Sequence, residues 1–173
     1  LLYILDIKTT VKTFKPLPLG NEDFVSIRQK GKYYVDKTPY LKKVFTEPSS
    51  VLLFTRPRRF GKTLLMDMFA SFLAIAENGS DNREFKEKIF DGLEVLKDKE
   101  FTDEYMGKFP VIFITLKSAY GETFEQAYDS LARIVVRLFS GYDFLLNSKN
   151  LSKDEIENYC KYLDREFLCD INS

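Results

Sequence analysis

A chain of 173 residues is long enough to bury the core of one domain, and 45% apolar with 30% charged residues is the balance of a globular protein. Lysine plus arginine and aspartate plus glutamate both number 26, so the net charge is zero, which argues against a chain whose main task is gripping a nucleic-acid backbone. Histidine is absent, which excludes histidine metal sites, Ser-His-Asp triads and Cys-His pairs within these residues.

Cys160 and Cys169 are too few for a disulfide framework and lack a zinc or redox spacing, so a reducing, cytoplasmic setting is expected. No apolar run reaches the roughly 18 residues of a membrane span, and the opening LLYILD is too short for a signal-peptide core.

In chain order, residues 1–6 form a short apolar run of strand character, and Pro16 and Pro18 mark a connector. Asn21 is placed to cap a short helix carrying Phe24 and Ile27, with Gly31 just past its end. Residues 32–35 read as a short strand, and Thr38 followed by Pro39 as a helix start with Tyr40, Leu41, Val44 and Phe45 on its apolar face. SVLLFT at 50–55 has the pattern of a buried parallel strand. Residues 62–76 are apolar nearly all round, as in an interior helix.

Asp81 and Glu84 resemble a capping box for a helix bearing Phe85 and Ile89. Residues 95–107 are charged and read as an exposed connection. PVIFITL at 110–116 is the second strand candidate. Thr123 with Gln126 caps a helix with apolar positions at Phe124, Ala127, Tyr128, Leu131, Val135, Leu138 and Phe139; Ser152 with Glu155 caps another, bearing Ile156, Tyr159, Cys160, Leu163 and Phe167. This order of strand, loop, helix, strand and helix predicts an α/β fold, a parallel sheet with flanking helices, as a single domain over 1–173.

Between the first strand candidate and the most apolar helix lies Arg56-Pro57-Arg58-Arg59-Phe60-Gly61-Lys62-Thr63, whose end matches the tail of the G-x-x-x-x-G-K-[ST] phosphate loop (P-loop). Gly61 lets the backbone approach phosphate oxygens without a Cβ in the way. The following helix start, through Leu64, offers free amides and the positive end of a dipole to an anion. Lys62 is suited to reach β- and γ-phosphates, and the Thr63 hydroxyl to ligate Mg²⁺. Arg58, Arg59 and Phe60 complete the expected nucleotide-binding segment. The tripeptide alone is unspecific, arising by chance in roughly one chain of this length in ten or twenty. One position departs from the pattern: Arg56 stands where the first glycine belongs, and the following Pro57 favours an extended approach to the loop.

The stretches LPLGNEDFVSIRQKGKYYVDKTPYLKKVF, LLFTRPRRFGKTLLMDMFASFL and FPVIFITLKSAYGETFEQAYDSL together resemble the AAA-ATPase-like family of bacterial proteins, over about residues 16–145. That family has the same R-P-R-R-F-G-K-[ST] loop. The resemblance implies a P-loop NTPase-like domain that binds ATP or ADP with Mg²⁺, often followed by a restriction-endonuclease-like domain, through which any nucleic acid would be contacted. It also implies that Arg56 is a feature of the family.

ATP hydrolysis needs an acidic residue, at the end of a second strand, to hold Mg²⁺ and orient water. In the family this is an apolar strand ending in Asp-Glu, beyond the helix equivalent to 123–139. Here 111–116 leads into Lys117, 167–170 is too short, and 1–6 precedes the loop, so the ATPase-like domain reads as incomplete and inefficient in turnover. Tyr34 and Asp36 serve either as strand and cap residues or as groups facing the nucleotide; Lys117 and Ser118 are placed at a strand end beside the phosphates. Charge-rich 98–108 reads as solvated surface. Two alternatives stand beside nucleotide binding: a nucleic-acid-binding module using Arg56, Arg58, Arg59 and Lys62, and a non-catalytic interaction domain retaining the fold.

Overall fold

The computed structural model describes residues 14–76 and 81–169, so the apolar opening at 1–6 lies outside the described residues. Helices follow in the order α1 (Phe24–Gln29), α2 (Pro39–Thr46), α3 (Lys62–Leu73), α4 (Arg83–Phe90), α5 (Lys99–Tyr105), α6 (Phe124–Ser140), α7 (Lys153–Leu163) and α8 (Arg165–Cys169), with single 3₁₀ turns at Glu94–Lys97, Leu116–Ser118 and Asp143–Asn147.

Most helix starts follow from local chemistry. Pro39 opens α2 directly after Thr38. The Thr123 hydroxyl accepts the Gln126 amide at 3.3 Å before α6. Ser152 and Glu155 form a complete capping box before α7. Two caps shift by one or two residues. Asp23, not Asn21, caps α1 by accepting the Ser26 amide at 2.7 Å, while the Asn21 side-chain Oδ1 accepts the Asp23 amide at 3.0 Å. Asn82 precedes α4, and Asp81 accepts the Arg83 amide at 2.8 Å.

The core forms around α3. Leu65, Met68, Phe69 and Phe72 recur at helical spacing and are buried against Phe24 of α1, Leu41 of α2, Ile89 and Phe90 of α4, and Met106. Phe24 and Phe90 lie 4.8 Å apart between ring centroids, Phe72 and Phe90 5.3 Å, and Phe72 stacks on Phe101 at 5.9 Å. Each such ring removed from water contributes about 1.5–3 kcal/mol. A second group of helices, α6 to α8, packs together: Tyr162 stacks on Phe139 at 4.7 Å, the Tyr159 hydroxyl donates to the Phe139 carbonyl at 2.6 Å, and Asp129 pairs with Arg133 and Arg165.

The expected α/β, P-loop NTPase-like parallel sheet does not form among the described residues. Their one bridge is the short parallel pairing of Ala74 with Phe109, held by Ile75 N–H to the Phe109 carbonyl at 2.9 Å and Phe109 N–H to the Leu73 carbonyl at 3.0 Å. Residues 50–55 and 111–115 form neither helix nor strand and belong to no ladder. Val51 and Leu53 are 83% and 85% exposed, and Ile112 and Ile114 are 72% and 51% exposed. Strand character in a sequence measures fit to a pleated, half-buried surface, and without a partner strand these residues have no such surface to join. The second run is tied to the end of α6 instead: the Tyr142 hydroxyl donates to the Val111 carbonyl at 2.7 Å and accepts the Val111 amide at 2.9 Å. Residues 32–35 are likewise not a strand.

The 95–107 stretch also differs from its expected exposed connection. Val95, Thr102 and Met106 are buried, Phe101 and Tyr105 pack on the core, and the Thr102 hydroxyl donates to the Val95 carbonyl at 3.0 Å. Charged residues decorate one side of α5 while its apolar side closes the core, a helical pattern that the high charge count obscures. No helix among the described residues is long and apolar enough to cross a membrane.

Candidate functional site

The loop ahead of α3 is shaped by two left-handed residues. Gly61, with φ 69° and ψ 35°, is the residue before the helix, and Arg59 adopts φ 67°. Glycine takes this conformation freely, whereas for arginine it costs on the order of 1–2 kcal/mol, strain of the kind that collects at ligand sites. The first intrahelical bond runs from the Leu65 amide to the Gly61 carbonyl at 3.0 Å. The amides of Lys62, Thr63 and Leu64 therefore precede the helical ladder, no side chain caps the helix, and its first turn holds no acidic residue.

The loop that leads into this helix is rich in cationic residues. Lys62 folds back so that its Nζ donates to the Arg56 carbonyl, with the Pro57 carbonyl at 3.5 Å. Arg56, the departure from the glycine pattern, is anchored to α2: its guanidinium donates to the Tyr40 hydroxyl at 3.0 Å and lies 5.8 Å from the Tyr40 ring centroid. Arg58 and Arg59 are exposed, as is Phe60, and Thr63 and Leu64 are half-buried in the first helical turn.

Lys37 is the residue that sequence reasoning passed over. Its Nζ donates to the Phe60 carbonyl at 3.4 Å, and a β-carbon placed on Gly61 would lie 2.9 Å from that nitrogen. The tertiary structure thus brings Lys37 and Lys62 to one loop. The signal available was its position in Tyr-Val-Asp-Lys-Thr-Pro, where the neighbouring Asp36 has a structural task. One Asp36 oxygen accepts the Thr38 amide at 2.8 Å and hydroxyl at 2.7 Å, and the other accepts the Glu94 amide at 2.8 Å. Asp36 pins this corner to the turn before α5, and Lys37 projects from it. Tyr34 is also structural: its ring meets Phe24 edge-on at 5.1 Å, and burial pushes its phenol up to about 12.

Asp67, one turn along α3 from Thr63, accepts the Phe24 amide at 2.7 Å, and burial raises its pKa. Lys117 pairs with Glu22, and Ser118 closes the 3₁₀ turn beside it. Among the described residues no group of three or more Asp, Glu, Cys or His side chains is arranged to hold a metal ion.

A cavity of about 740 Å³ adjoins the loop, between the turn at 17–22 and the start of α3. The turn closes through the Asn21 amide and the Pro18 carbonyl at 3.1 Å, and its approach is held by the Tyr33 amide on the Pro16 carbonyl at 2.9 Å. Another cavity of the same volume, between α2 and 94–99, is bordered by charges that already pair, Lys42 with Asp98 and Lys97 with Glu94.

Lys37 and Lys62 thus lie beside an uncapped helix N-terminus, an arrangement whose free amides and dipole end favour an anion in general. The chain belongs to the AAA-ATPase-like family, described as predicted AAA-ATPases, whose family model matches residues 18–168. Over 61 residues it is also 41% identical to an uncharacterized protein in the vnfD 5′ region of Azotobacter chroococcum mcd 1. That match covers 35% of this chain and 12% of the relative, so the chain spans a small part of the relative's length. No solved structure matches the chain.

Proposed function

We propose that residues 56–64 bind the phosphate tail of ATP or ADP. The carrying observation is the convergence of Lys62 and Lys37 on the uncapped, glycine-led start of α3, in a chain of a predicted AAA-ATPase family. The amides of Lys62, Thr63 and Leu64 would take phosphate oxygens. Lys62 would exchange the Arg56 and Pro57 carbonyls for phosphate, and Lys37 would add a second charge from the side of Phe60. Arg58 and Arg59 border the same loop, and the Thr63 hydroxyl is the group suited to Mg²⁺, which bridges phosphate oxygens when bound.

Slow turnover accompanies this reading. Asp36 and Asp67 already accept backbone amides, and the run at 111–115 leads into a 3₁₀ turn holding Lys117, a residue unable to serve as the acid that positions water.

Calorimetric titration tests the proposal. Mg-ATP should bind saturably to the wild-type chain, and Lys62→Ala should weaken it at least tenfold, equivalent to about 1.4 kcal/mol. A short DNA duplex in the same titration should give no saturable heat. Saturable DNA binding without ATP binding would replace this reading with a nucleic-acid module, whereas a melting temperature unmoved by ATP, ADP and DNA alike would favour an interaction domain.

A further inference from the structure

Lys86 is 5% exposed and is the one charged side chain buried among the described residues. Its Nζ donates to the Ser71 carbonyl, one of the last four carbonyls of α3. The other three accept backbone amides: Ala70 that of Ala74 at 2.9 Å, Phe72 that of Gly107 at 2.9 Å, and Leu73 that of Phe109 at 3.0 Å. The lysine stem runs close past Gly107, where an added β-carbon would lie 3.3 Å from Lys86 Cε. An ammonium carries three donors, and the Ser71 carbonyl takes one of them. Lys86 also lines a cavity between the end of α3, the start of α4 and the end of α6, and Arg137 lines it too. We infer that this cavity holds a small organic carboxylate, with its head group on Lys86 and Arg137 and its hydrocarbon body against the apolar lining.

The cavity measures about 450 Å³, within the range of roughly 300–1,000 Å³ typical of small-molecule sites. Of its lining residues only Arg137 is exposed; the others are half-buried or, like Lys86, buried. None of them is acidic, and neither Lys86 nor Arg137 joins an ion pair among the described residues. Burial pulls the Lys86 pKa from 10.5 to about 8, as it does for an ammonium without a counter-charge. A carboxylate supplies that charge and accepts the remaining donors. Tyr142 does not fill the role, because its hydroxyl is engaged with both the amide and the carbonyl of Val111. Ala74, Ile75, Phe113 and Leu138 make much of the remaining lining apolar, a surface that a hydrocarbon body would remove from water and an inorganic anion would not. The cavity begins at Ala70, about 12 Å along α3 from Lys62 at a rise of about 1.5 Å per residue, so it is separate from the phosphate loop.

The test titrates hexanoate, its uncharged analogue hexanamide and inorganic phosphate into the wild-type chain and three variants, with binding read by calorimetry. The wild type should bind hexanoate saturably and at least tenfold tighter than hexanamide, and phosphate should not displace it. Lys86→Met keeps the bulk of the stem without the charge, and should bring hexanoate and hexanamide within about threefold of each other. Arg137→Gln, at an exposed position, should weaken hexanoate about three- to tenfold at an unchanged melting temperature. Lys62→Ala should bind hexanoate as the wild type does, whatever it does to Mg-ATP. No saturable hexanoate binding, equal affinity for acid and amide, or displacement by phosphate at equal affinity overturns the site. So does a preference for the acid that survives Lys86→Met, or a loss of hexanoate binding in Lys62→Ala, which would assign the anion to the loop. Should Lys86→Met fail to fold, Arg137→Gln decides: hexanoate affinity equal to the wild type's overturns the pairing of the two cations on one carboxylate.

Discussion

Lys37 stands directly over Gly61, its Nζ 2.9 Å from the point where a β-carbon on that glycine would lie. Two residues 24 positions apart thus form one small wall of the loop, and the absence of a side chain at 61 is what lets the lysine reach the Phe60 carbonyl. Gly61→Ala should destabilise the fold by about 1–2 kcal/mol, because alanine is strained at φ 69° whatever space it has. The flexible lysine end can step aside, so the strain term dominates. Urea unfolding measures it, and a change below a few tenths of a kcal/mol would show that the left-handed turn is not required.

The two lysines should contribute unequally to phosphate affinity. Lys62 lies on the helix whose free amides are proposed to meet the phosphates, whereas Lys37 is half-buried and approaches from a neighbouring corner through a solvent-exposed hydrogen bond. Lys37→Ala should weaken Mg-ATP about three- to tenfold, less than Lys62→Ala, and the loss should shrink as salt rises because exposed charges are screened. Equal affinities for wild type and Lys37→Ala at low salt would remove Lys37 from the site.

Lys86 gives the chain a pH signature. It is 5% exposed, its Nζ donates to the Ser71 carbonyl near the end of α3, and burial pulls its pKa down from 10.5 to about 8. The folded state therefore releases this proton before the unfolded state does. Below pH 8 both states are protonated and the fold bears the full burden of a buried charge. Between about pH 8 and 10.5 that burden is lifted, so stability should rise with pH, by about 2–3 kcal/mol in all. Denaturant midpoints from pH 7.5 to 9.5 should rise in the wild type and stay level in Lys86→Met; a parallel rise in both would assign the effect to other groups.

Phe72 joins three helices in the core. It is fully buried on α3 and meets Phe90 and Phe101 on two different helices. Phe72→Ala should cost about 3–5 kcal/mol by leaving a cavity between α3, α4 and α5. Thermal unfolding should show a large drop in midpoint, and a loss under 1 kcal/mol would mean that α4 and α5 do not depend on this contact.

The anchoring of Arg56 explains a departure from pattern that spacing alone left open. A glycine at the head of a phosphate loop permits a turn, whereas here an arginine fastened to Tyr40 holds the loop against α2. Lys37 was harder to find, since its reach to Phe60 depends on Asp36 bonding Thr38 and the distant Glu94. Lys117, expected beside the phosphates, pairs with Glu22, which borders the cavity next to the loop.

Read alone, the sequence determined the helix starts at Pro39, after Thr123 and after Ser152, the apolar character of α3, and the loop ending in Gly61-Lys62-Thr63. These depend on partners within about four residues, so the information is local. Only the tertiary structure decided that 50–55 and 111–115 remain unpaired, that α5 belongs to the core, and that Lys37 and the 17–22 turn meet the loop. A strand becomes a strand by acquiring a neighbour, and a surface lysine becomes part of a site by the packing of elements far apart in the chain; neither condition is written in the residues concerned.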